Sequence, residues 1–288
     1  MNRKKKPVII GIGELLWDIF PDVRKAGGAP VNFVYHATVL GAQGYAISAV
    51  GNDSLGDEIV ELINQIGIDH FVAKVNHPTG TVNVQLNHGI PTYEIVEDVA
   101  WDYIPLSSKV VEIAKNADAV CFGTLAQRNS ISRNTIRDFL ALLPEDSFKI
   151  LDINLRKPFF SQTLIEESIQ LCNILKLNDE ELEVLKEVFS IESFDDREAC
   201  KWLIRTYNLK YLILTAGSDY SMVFSPENIS FLNTPKVNVV DTVGAGDSFT
   251  GAFITSLLMG ASLEKAHSVA VERAAAVCAV EGAWFVEL

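Results

Sequence analysis

Four cysteines are spread through 288 residues, at Cys121, Cys172, Cys200 and Cys278. With no C-x-x-C pair and no even ladder, they exclude a disulfide framework and suit reduced thiols in a cytoplasm. The five histidines, His36, His70, His77, His88 and His267, lack any zinc-ligand spacing and read as surface or packing residues. Positive charge is scarce as well. Against 24 Lys and Arg stand 37 Asp and Glu, a net charge of −13, which argues against a nucleic-acid surface but not against a local phosphate cradle. No apolar run approaches the roughly 18–20 residues of a membrane helix. The opening M-N-R-K-K-K-P imitates a signal peptide, yet Glu14 and Asp18 interrupt the apolar run and no A-x-A-like site follows. We read residues 1–6 as a basic tail and expect a cytoplasmic protein without membrane or nucleic-acid partners. Repeats, low-complexity tracts and linkers are missing too, which suits one domain over residues 1–288. Gly11-Ile12-Gly13 lacks the later glycine of G-x-G-x-x-G, and no G-x-x-x-x-G-K-[ST] occurs, so Rossmann and P-loop motifs are excluded.

What is present is alternation. Val8–Ile12 is a β-branched run ending at glycine, as a central parallel strand should be. Helical character over 32–40 closes at Gly41; a strand over 45–50 precedes a helix capped by Asp53 or Ser54 and stopped at Gly67. Residues 81–95 differ. Val82, Val84 and Leu86 alternate with Asn83, Gln85 and Asn87 before a turn at Gly89-Ile90-Pro91, which predicts a half-exposed antiparallel hairpin. Parallel rhythm then resumes, with strands over 119–122, 149–153, 174–177 and 211–215. Helices are predicted over 135–143, 180–189, 199–207, 247–259 and 263–280. In the last of these Ala266, Val269, Ala270, Ala274, Val277 and Cys278 form one stripe, with Ser262 as cap and Gly282 as exit. Such units predict an α/β fold with ligands at the strand C-terminal ends.

Residues 241–247 read D-T-V-G-A-G-D, and an apolar helical stretch begins there. Free N–H groups at a helix N-terminus cradle an anion, and small residues let backbone approach it closely. A carboxylate one step inside, Asp247, can take a proton from a hydroxyl attacking a phosphate. Taken alone, Gly-Ala-Gly is only a turn and Asp247 only complements the helix dipole. The longer string is more specific. Asp241, Thr242, Gly244, Ala245, Gly246, Asp247, Gly251, Ala252, Phe253 and Ile254 resemble the C-terminal signature of the ribokinase/PfkB carbohydrate kinases. Gly27-Gly28-Ala29-Pro30-Val31-Asn32, followed by Gly41 and Gly51, resembles their N-terminal signature; Val34 departs from the small residue usual there.

That resemblance spans nearly the whole chain. It implies a ribokinase-like three-layer αβα sandwich, a mostly parallel central sheet, and a small β-lid from about 14–20 and 81–95. Lids in this family pair, so a homodimer through the hairpin is compatible with a lid; a decorative insertion is the plain alternative. By the same resemblance Asp247 is the base and Gly244, Ala245 and Gly246 form the anion hole. Asp18, Gly27, Gly28 and Asn32 bind sugar. Asp152-Ile153-Asn154-Leu155-Arg156 resembles a D-x-N-x-R run whose Asn154 and Arg156 face the ligand, unless Arg156 merely pairs with Asp152. Asn178 and Glu181 match an N-x-x-E motif that organises Mg2+ through water, and by spacing they are equally a capping box. Thr215 and Gly217 match a T-x-G-x-x-G nucleotide run, although Tyr220 replaces its last glycine. Adenine contacts are expected around 270–274, and loops at 241–243 and 280–282 are where relatives hold a monovalent cation such as K+.

The expected activity is therefore ATP-dependent sugar phosphorylation, with ATP, Mg2+ and a small sugar as ligands. Gly-Gly-Ala-Pro, D-x-N-x-R and the stretches 99–102 and 123–128 resemble fructokinases, which points to D-fructose and fructose 6-phosphate. Another sugar or a 2-keto-3-deoxy sugar acid is the alternative substrate. A nonenzymatic sugar- or nucleotide-binding regulator is the alternative class, but it would have no need of Asp247 beside its glycines.

Overall fold

The computed structural model describes residues 5–87 and 90–284. From β1 (Val8–Ile12) the chain makes a short antiparallel pair, β2 (Leu16–Ile19) and β3 (Arg24–Gly27). It continues through α1 (Ala29–Val39), β4 (Gln43–Gly51), α2 (Ser54–Gln65) and β5 (Asp69–Val75). The hairpin strands β6 (Gly80–Asn87) and β7 (Ile90–Ile95) follow. Next come α3 (Ser108–Ala114), β8 (Ala119–Gly123), α4 (Ser130–Ala141), β9 (Phe148–Asp152), α5 (Gln162–Leu171) and β10 (Ile174–Asn178). The last third holds α6 (Asp179–Phe189), α7 (Asp196–Tyr207), β11 (Tyr211–Ala216), β12 (Tyr220–Phe224), β13 (Ile229–Asn233), α8 (Ala245–Leu258) and α9 (Leu263–Cys278).

Nine strands form one sheet in the order β13-β12-β11-β10-β9-β8-β1-β4-β5, with every neighbouring pair parallel except β11–β12 and β12–β13, so that β12 alone runs against the rest. The chain builds outward from β1 in both directions, so β1 marks the switch point where connections diverge to opposite faces and a crevice opens. Alternate strand residues feed two separate cores. Ile10, Ile12, Val120, Phe122, Leu175 and Leu177 pack with α3 to α7, while Ile9, Ala119, Cys121, Ile174 and Ile213 pack with α1, α2, α8 and α9. Two covered faces explain why these strands read as unbroken apolar runs. The predicted ribokinase-like α/β sandwich is the observed fold.

A second sheet of four strands, β3-β2-β6-β7, pairs β2 parallel to β6. Val82 opposes Ile95 and Val84 opposes Tyr93, so the hairpin read from alternation forms in that register; its predicted turn at Gly89 lies outside the described residues. Some readings need correction. Glu14, read as part of the lid, lies outside β2 and is 2% exposed. α1 starts at Ala29, three residues before the predicted 32, because Pro30 fits a first helical turn. The strands β5, β12 and β13 and the helices α3 and α5 were not read from the sequence at all. The α9 stripe includes His267 and Arg273, both buried. His267 sits between the hydroxyls of Ser221 and Ser230, each at 2.8 Å, and Arg273 Nε meets His36 Nδ1 at 3.1 Å. Asp53 and Ser262 do cap α2 and α9, and all four cysteines are unpaired. Among the described residues no helix is long and apolar enough to cross a membrane.

α1 and α8 touch backbone to side chain. A Cβ on Gly251 would lie 2.7 Å from the Phe33 carbonyl oxygen and 3.2 Å from His36 Cβ. Gly251→Ala should therefore cost about 1–3 kcal/mol by forcing the helices apart. Urea unfolding measures the loss, and an unchanged midpoint would show that the contact is not limiting.

Candidate active site

Gly244 caps α8 in the left-handed region, with φ 78°. A Cβ there would lie 2.6 Å from Ala283 Cβ, so only glycine fits. The N–H groups of the first helical turn lack intrahelical acceptors and carry partial positive charge, and Asp247 stands in that turn. From α1, Asn32 Nδ2 donates to Asp247 Oδ2 at 2.7 Å. Its other end, Oδ1, accepts Trp284 Nε1–H at 2.8 Å. With one end a donor and the other an acceptor, the Asn32 amide has a single orientation. Burial, helped by the Asp152 charge, pushes the Asp247 carboxyl up to about 6; Lys176, the Asn32 hydrogen bond and Arg156 oppose that rise. Such a group is mostly ionised at neutral pH yet more basic than an ordinary carboxylate.

Lys176 was not singled out in the sequence. It lies in the buried strand β10, and its Nζ contacts Asp152 Oδ1 at 3.1 Å. The same ammonium lies 2.9 Å from where a Gly246 Cβ would be, directly beneath the turn that carries Asp247. Asp152, Glu181 and Asp247 together outweigh burial and hold its pKa above the ordinary lysine value. A lysine inside the apolar run I-L-K-L was the available signal, since a strand covered on both faces tolerates a charge only with a partner. Asp152 thus takes Lys176, and not Arg156, as its ion-pair partner.

Asn178 and Glu181 form the capping box their spacing predicted. Asn178 Oδ1 accepts Glu181 N–H at 2.7 Å and Glu181 Oε2 accepts Asn178 N–H at 2.9 Å; Glu181 Oε1 accepts Leu155 N–H at 3.0 Å. No group of three or more His, Cys, Asp or Glu with metal-holding geometry occurs among the described residues. Each Glu181 oxygen keeps a second lone pair for a water, which fits a hydrated divalent ion carried on a phosphate and does not fit a closed protein cage.

On the opposite wall, Asp18 lies in β2 beside Gly27, whose Cβ would come 3.3 Å from Asp18 Oδ2. Burial raises Asp18 to about 6, against the fields of Arg156 and Lys25. Gly28 caps α1 at φ 129°, where a Cβ would collide with the Glu14 carbonyl oxygen. Glu14 is a second buried acid that sequence reasoning left without a role. Burial lifts its pKa to about 7, and its Oε2 has no hydrogen-bond partner among the described residues. Asn154 turns at φ 38°, which ends the alternation expected of 152, 154 and 156 and leaves Arg156 exposed. The structure brings the 241–243 and 280–282 loops together through Asp241. It accepts the N–H groups of Val243 and Gly282 at 3.1 Å each and pairs with Lys25 at 3.1 Å.

The nucleotide run lies at the β11–β12 turn. Thr215 is the lateral neighbour of Asn178 across β10 and β11. Gly217 occupies an exposed turn at φ 46°, and its carbonyl accepts the Thr234 hydroxyl at 3.0 Å. Tyr220 begins β12 and stacks on Phe231, so the T-x-G-x-x-G match resolves into the turn of a β-hairpin. In the expected adenine region, Ala270 and Val271 belong to the core and Ala274 packs beside it.

A family model described as pfkB family carbohydrate kinase matches residues 20–286. An uncharacterized sugar kinase from Pyrococcus horikoshii is 29% identical over 301 residues, covering 96% of this chain and 92% of that protein. Its solved structure in complex with ATP superimposes with a TM-score of 0.82 at 27% identity, over 96% of this chain and 94% of that one. An ATP-dependent 6-phosphofructokinase from Thermoanaerobacterium thermosaccharolyticum is 26% identical, covering 91% of this chain and 84% of that protein. A fructokinase from Rhizobium leguminosarum bv. trifolii is 23% identical, covering 93% and 85%.

The buried pair beneath the site has a measurable consequence. Lys176→Met should destabilise the protein by about 3–5 kcal/mol, the cost of leaving a buried carboxylate unpaired. Adding Asp152→Asn should restore much of the loss, as thermal unfolding of the single and double variants will read; equal losses in both would mean that the two side chains do not act as a pair.

Proposed function

This chain belongs to the pfkB family of carbohydrate kinases, and on that premise we propose that it transfers the γ-phosphoryl group of ATP to a hydroxyl of D-fructose, giving fructose 6-phosphate. The observation that carries the reading is the Asp247 carboxylate, held by Asn32 at 2.7 Å inside the first turn of α8. Asp247 takes the proton of the acceptor hydroxyl as that oxygen bonds to the γ-phosphorus. The bond from the γ-phosphorus to the β,γ-bridging oxygen breaks, and ADP leaves with the bond's electron pair. Backbone N–H groups of Gly244 and Gly246, with the α8 dipole behind them, stabilise charge on the transferring group, while the Ala245 N–H donates to the Thr242 carbonyl oxygen at 3.2 Å and holds the turn. The Lys176 ammonium beneath Gly246 adds to the same field. Asn178 and Glu181 would hold a hydrated Mg2+, which would supply charge neutralisation at the phosphate oxygens of ATP.

Asp18, Asn32, Asn154 and Arg156 bind the sugar, and Gly27 and Gly28 let it approach the backbone. Thr215 and Gly217 border the nucleotide. The sheet of β2, β3, β6 and β7 acts as the lid, since excluding water favours transfer to sugar over hydrolysis. Support for fructose comes from the motif resemblances and from the Rhizobium fructokinase among the relatives. The 6-phosphofructokinase relative makes fructose 6-phosphate the second reading.

Asp247→Asn should lower kcat by about 10²–10⁴-fold while nucleotide affinity changes little. For the wild type, kcat/KM should fall as pH drops through about 6, because the base must be ionised. The stability effect has the opposite sense. A folded pKa above the ordinary 3.8 means that ionisation costs stability as pH rises through about 6. Asparagine removes that cost, so the variant should melt at the same or higher temperature in alkaline buffer. A purified variant with near-wild-type kcat would refute the assignment of Asp247.

Coupled ADP release over a panel of sugars tests the acceptor. Fructose should rank first in kcat/KM, ahead of fructose 6-phosphate, glucose, ribose, 2-keto-3-deoxygluconate and adenosine. A sugar that leaves one of the buried polar groups unmatched loses roughly 1–3 kcal/mol, or about 5- to 150-fold. In the same experiment, fructose should slow hydrogen exchange in β6 and β7. A tenfold lead for another acceptor sinks the fructose assignment and leaves the kinase assignment intact; unchanged exchange removes the lid.

A further inference from the structure

The hairpin of β6 and β7 leaves the body of the protein at two feet, and both are fastened. On the entering side Asp53, the cap of α2, accepts the Thr79 N–H at 2.8 Å and the Thr79 hydroxyl at 2.6 Å. The same Thr79 oxygen accepts the Gly51 N–H at 2.9 Å, from the end of β4. Gly80 comes next. A Cβ there would lie 2.3 Å from Trp101 Nε1, so the indole rests against the first backbone unit of β6. On the leaving side the Val96 N–H donates to the Thr81 carbonyl at 3.1 Å, and the Val96 carbonyl accepts Arg128 Nη2–H at 2.6 Å. Trp101 thus holds one foot of the hairpin and Arg128 the other.

These two side chains form one buried unit. The guanidinium lies 3.9 Å from the Trp101 ring centroid, and its Nε and Nη2 donate to the two Asp102 oxygens at 2.8 Å each. The Arg128 and Asp102 side chains are 6% and 2% exposed. A planar fork paired to a carboxylate has one orientation, so the rings stacked on it are oriented as well. The Trp101 carbonyl accepts the Ser132 hydroxyl at 2.8 Å, which ties the unit to α4. Phe159 also packs on the guanidinium, with its centroid 4.8 Å away. That ring belongs to the turn that starts at Arg156, because the Phe159 N–H donates to the Arg156 carbonyl at 2.7 Å. Arg156 is exposed, yet its charge opposes the rise in pKa of Glu14, Asp18 and Asp247, so its field reaches the site. Glu97 and Asp98, just past the hairpin, and Pro158 and Phe160, of the Arg156 loop, line one cavity of about 460 Å3. Open space therefore lies beside the contact between Arg128 and Phe159.

We infer that Arg128 is a positioning residue for the acceptor sugar: packed on Trp101 and Phe159, it couples the feet of the hairpin lid to the loop that places Arg156. This rests on the reading of the small sheet as a lid and of Arg156 as a sugar ligand. The coupling follows from burial. A desolvated guanidinium cannot leave Asp102 or the Val96 carbonyl without losing hydrogen bonds, so a shift of the loop is passed through it to the feet of the hairpin. Beyond those feet β6 and β7 pair with each other and with β2, and turn as a body.

Phe159→Leu tests the coupling and leaves the Arg128–Asp102 pair in place. The ring is half-buried and leucine stays apolar, so the melting temperature should change little. In the ligand-free full chain the variant should speed hydrogen exchange at Val96 and along β6 and β7 by about 2- to 30-fold, the factor that corresponds to one lost cation–π contact. Phe160→Leu, at the adjacent half-buried ring, should leave exchange in the hairpin unchanged. With whichever acceptor the wild type uses best, Phe159→Leu should raise the acceptor KM by a similar factor and leave kcat and the KM for ATP unaltered. A merely structural role would lower kcat through lost folded protein and would not move KM. Faster exchange confined to residues 154–160, or an acceptor KM equal to that of the wild type, overturns the inference. Exchange is read without substrate, so a wrong acceptor or a missing kinase activity would not alter it, and failure of the functional reading stays distinct from failure of the coupling.

Discussion

One side-chain amide joins the two ends of this chain. Asn32, near the start of α1, reaches across 215 positions to Asp247 and takes its other hydrogen bond from Trp284. That bridge exists only because α1 and α8 pack close enough for Gly251 to lie against the Phe33 carbonyl. It depends equally on both helices starting at one rim of the sheet, where backbone N–H groups are unsatisfied. Gly28 and Gly244, both at positive φ, set those starting points. The site is thus a consequence of helix packing, with a carboxylate fixed at the place where two helix N-termini meet.

Electrostatics under the rim follow from the same packing. Three acids, Asp152, Glu181 and Asp247, influence one another around the buried Lys176 ammonium. Without a cation so many carboxylates could not share a desolvated site in ionised form. Lys176 stabilises them and stands under the Gly246 backbone. It therefore contributes both to the fold and to the potential that an incoming phosphate would meet. The second wall is arranged differently. Asp18 and Glu14 are lifted toward neutrality by burial, and Arg156 supplies the opposing field from an exposed position. Asp18, raised to about 6 as Asp247 is, is mostly ionised near neutral pH, whereas Glu14, raised to about 7, is partly protonated there and can donate as well as accept.

Much of this was legible in the chain. Strands covered on both faces show as apolar runs, and β1, β8, β9, β10 and β11 were read from them. The 81–95 hairpin was visible because one of its faces alternates. β12 and β13 escaped notice because Tyr220 to Phe224 lies at the sheet's antiparallel end, where partner pairing and not local periodicity sets the structure. The run around Gly217 is the turn between β11 and β12, and a turn between paired strands uses the same small residues as a phosphate loop, so local sequence does not separate the two.

The local chemistry was determined by the sequence itself: small residues ahead of Asp247, an N-x-x-E box that caps α6, four cysteines too scattered to pair, and Asp53 and Ser262 as helix caps. These depend on neighbours within a few positions, which the order of residues specifies directly. Partnerships were decided only by tertiary structure. Asp152 meets Lys176 and not Arg156, Glu14 is buried against the start of α1, Trp284 orients Asn32, and Arg128 is closed between the rings of Trp101 and Phe159. Each of these joins segments far apart in the chain. The free energy of burying a charge depends on what the fold brings beside it, and composition and spacing carry no record of that distance.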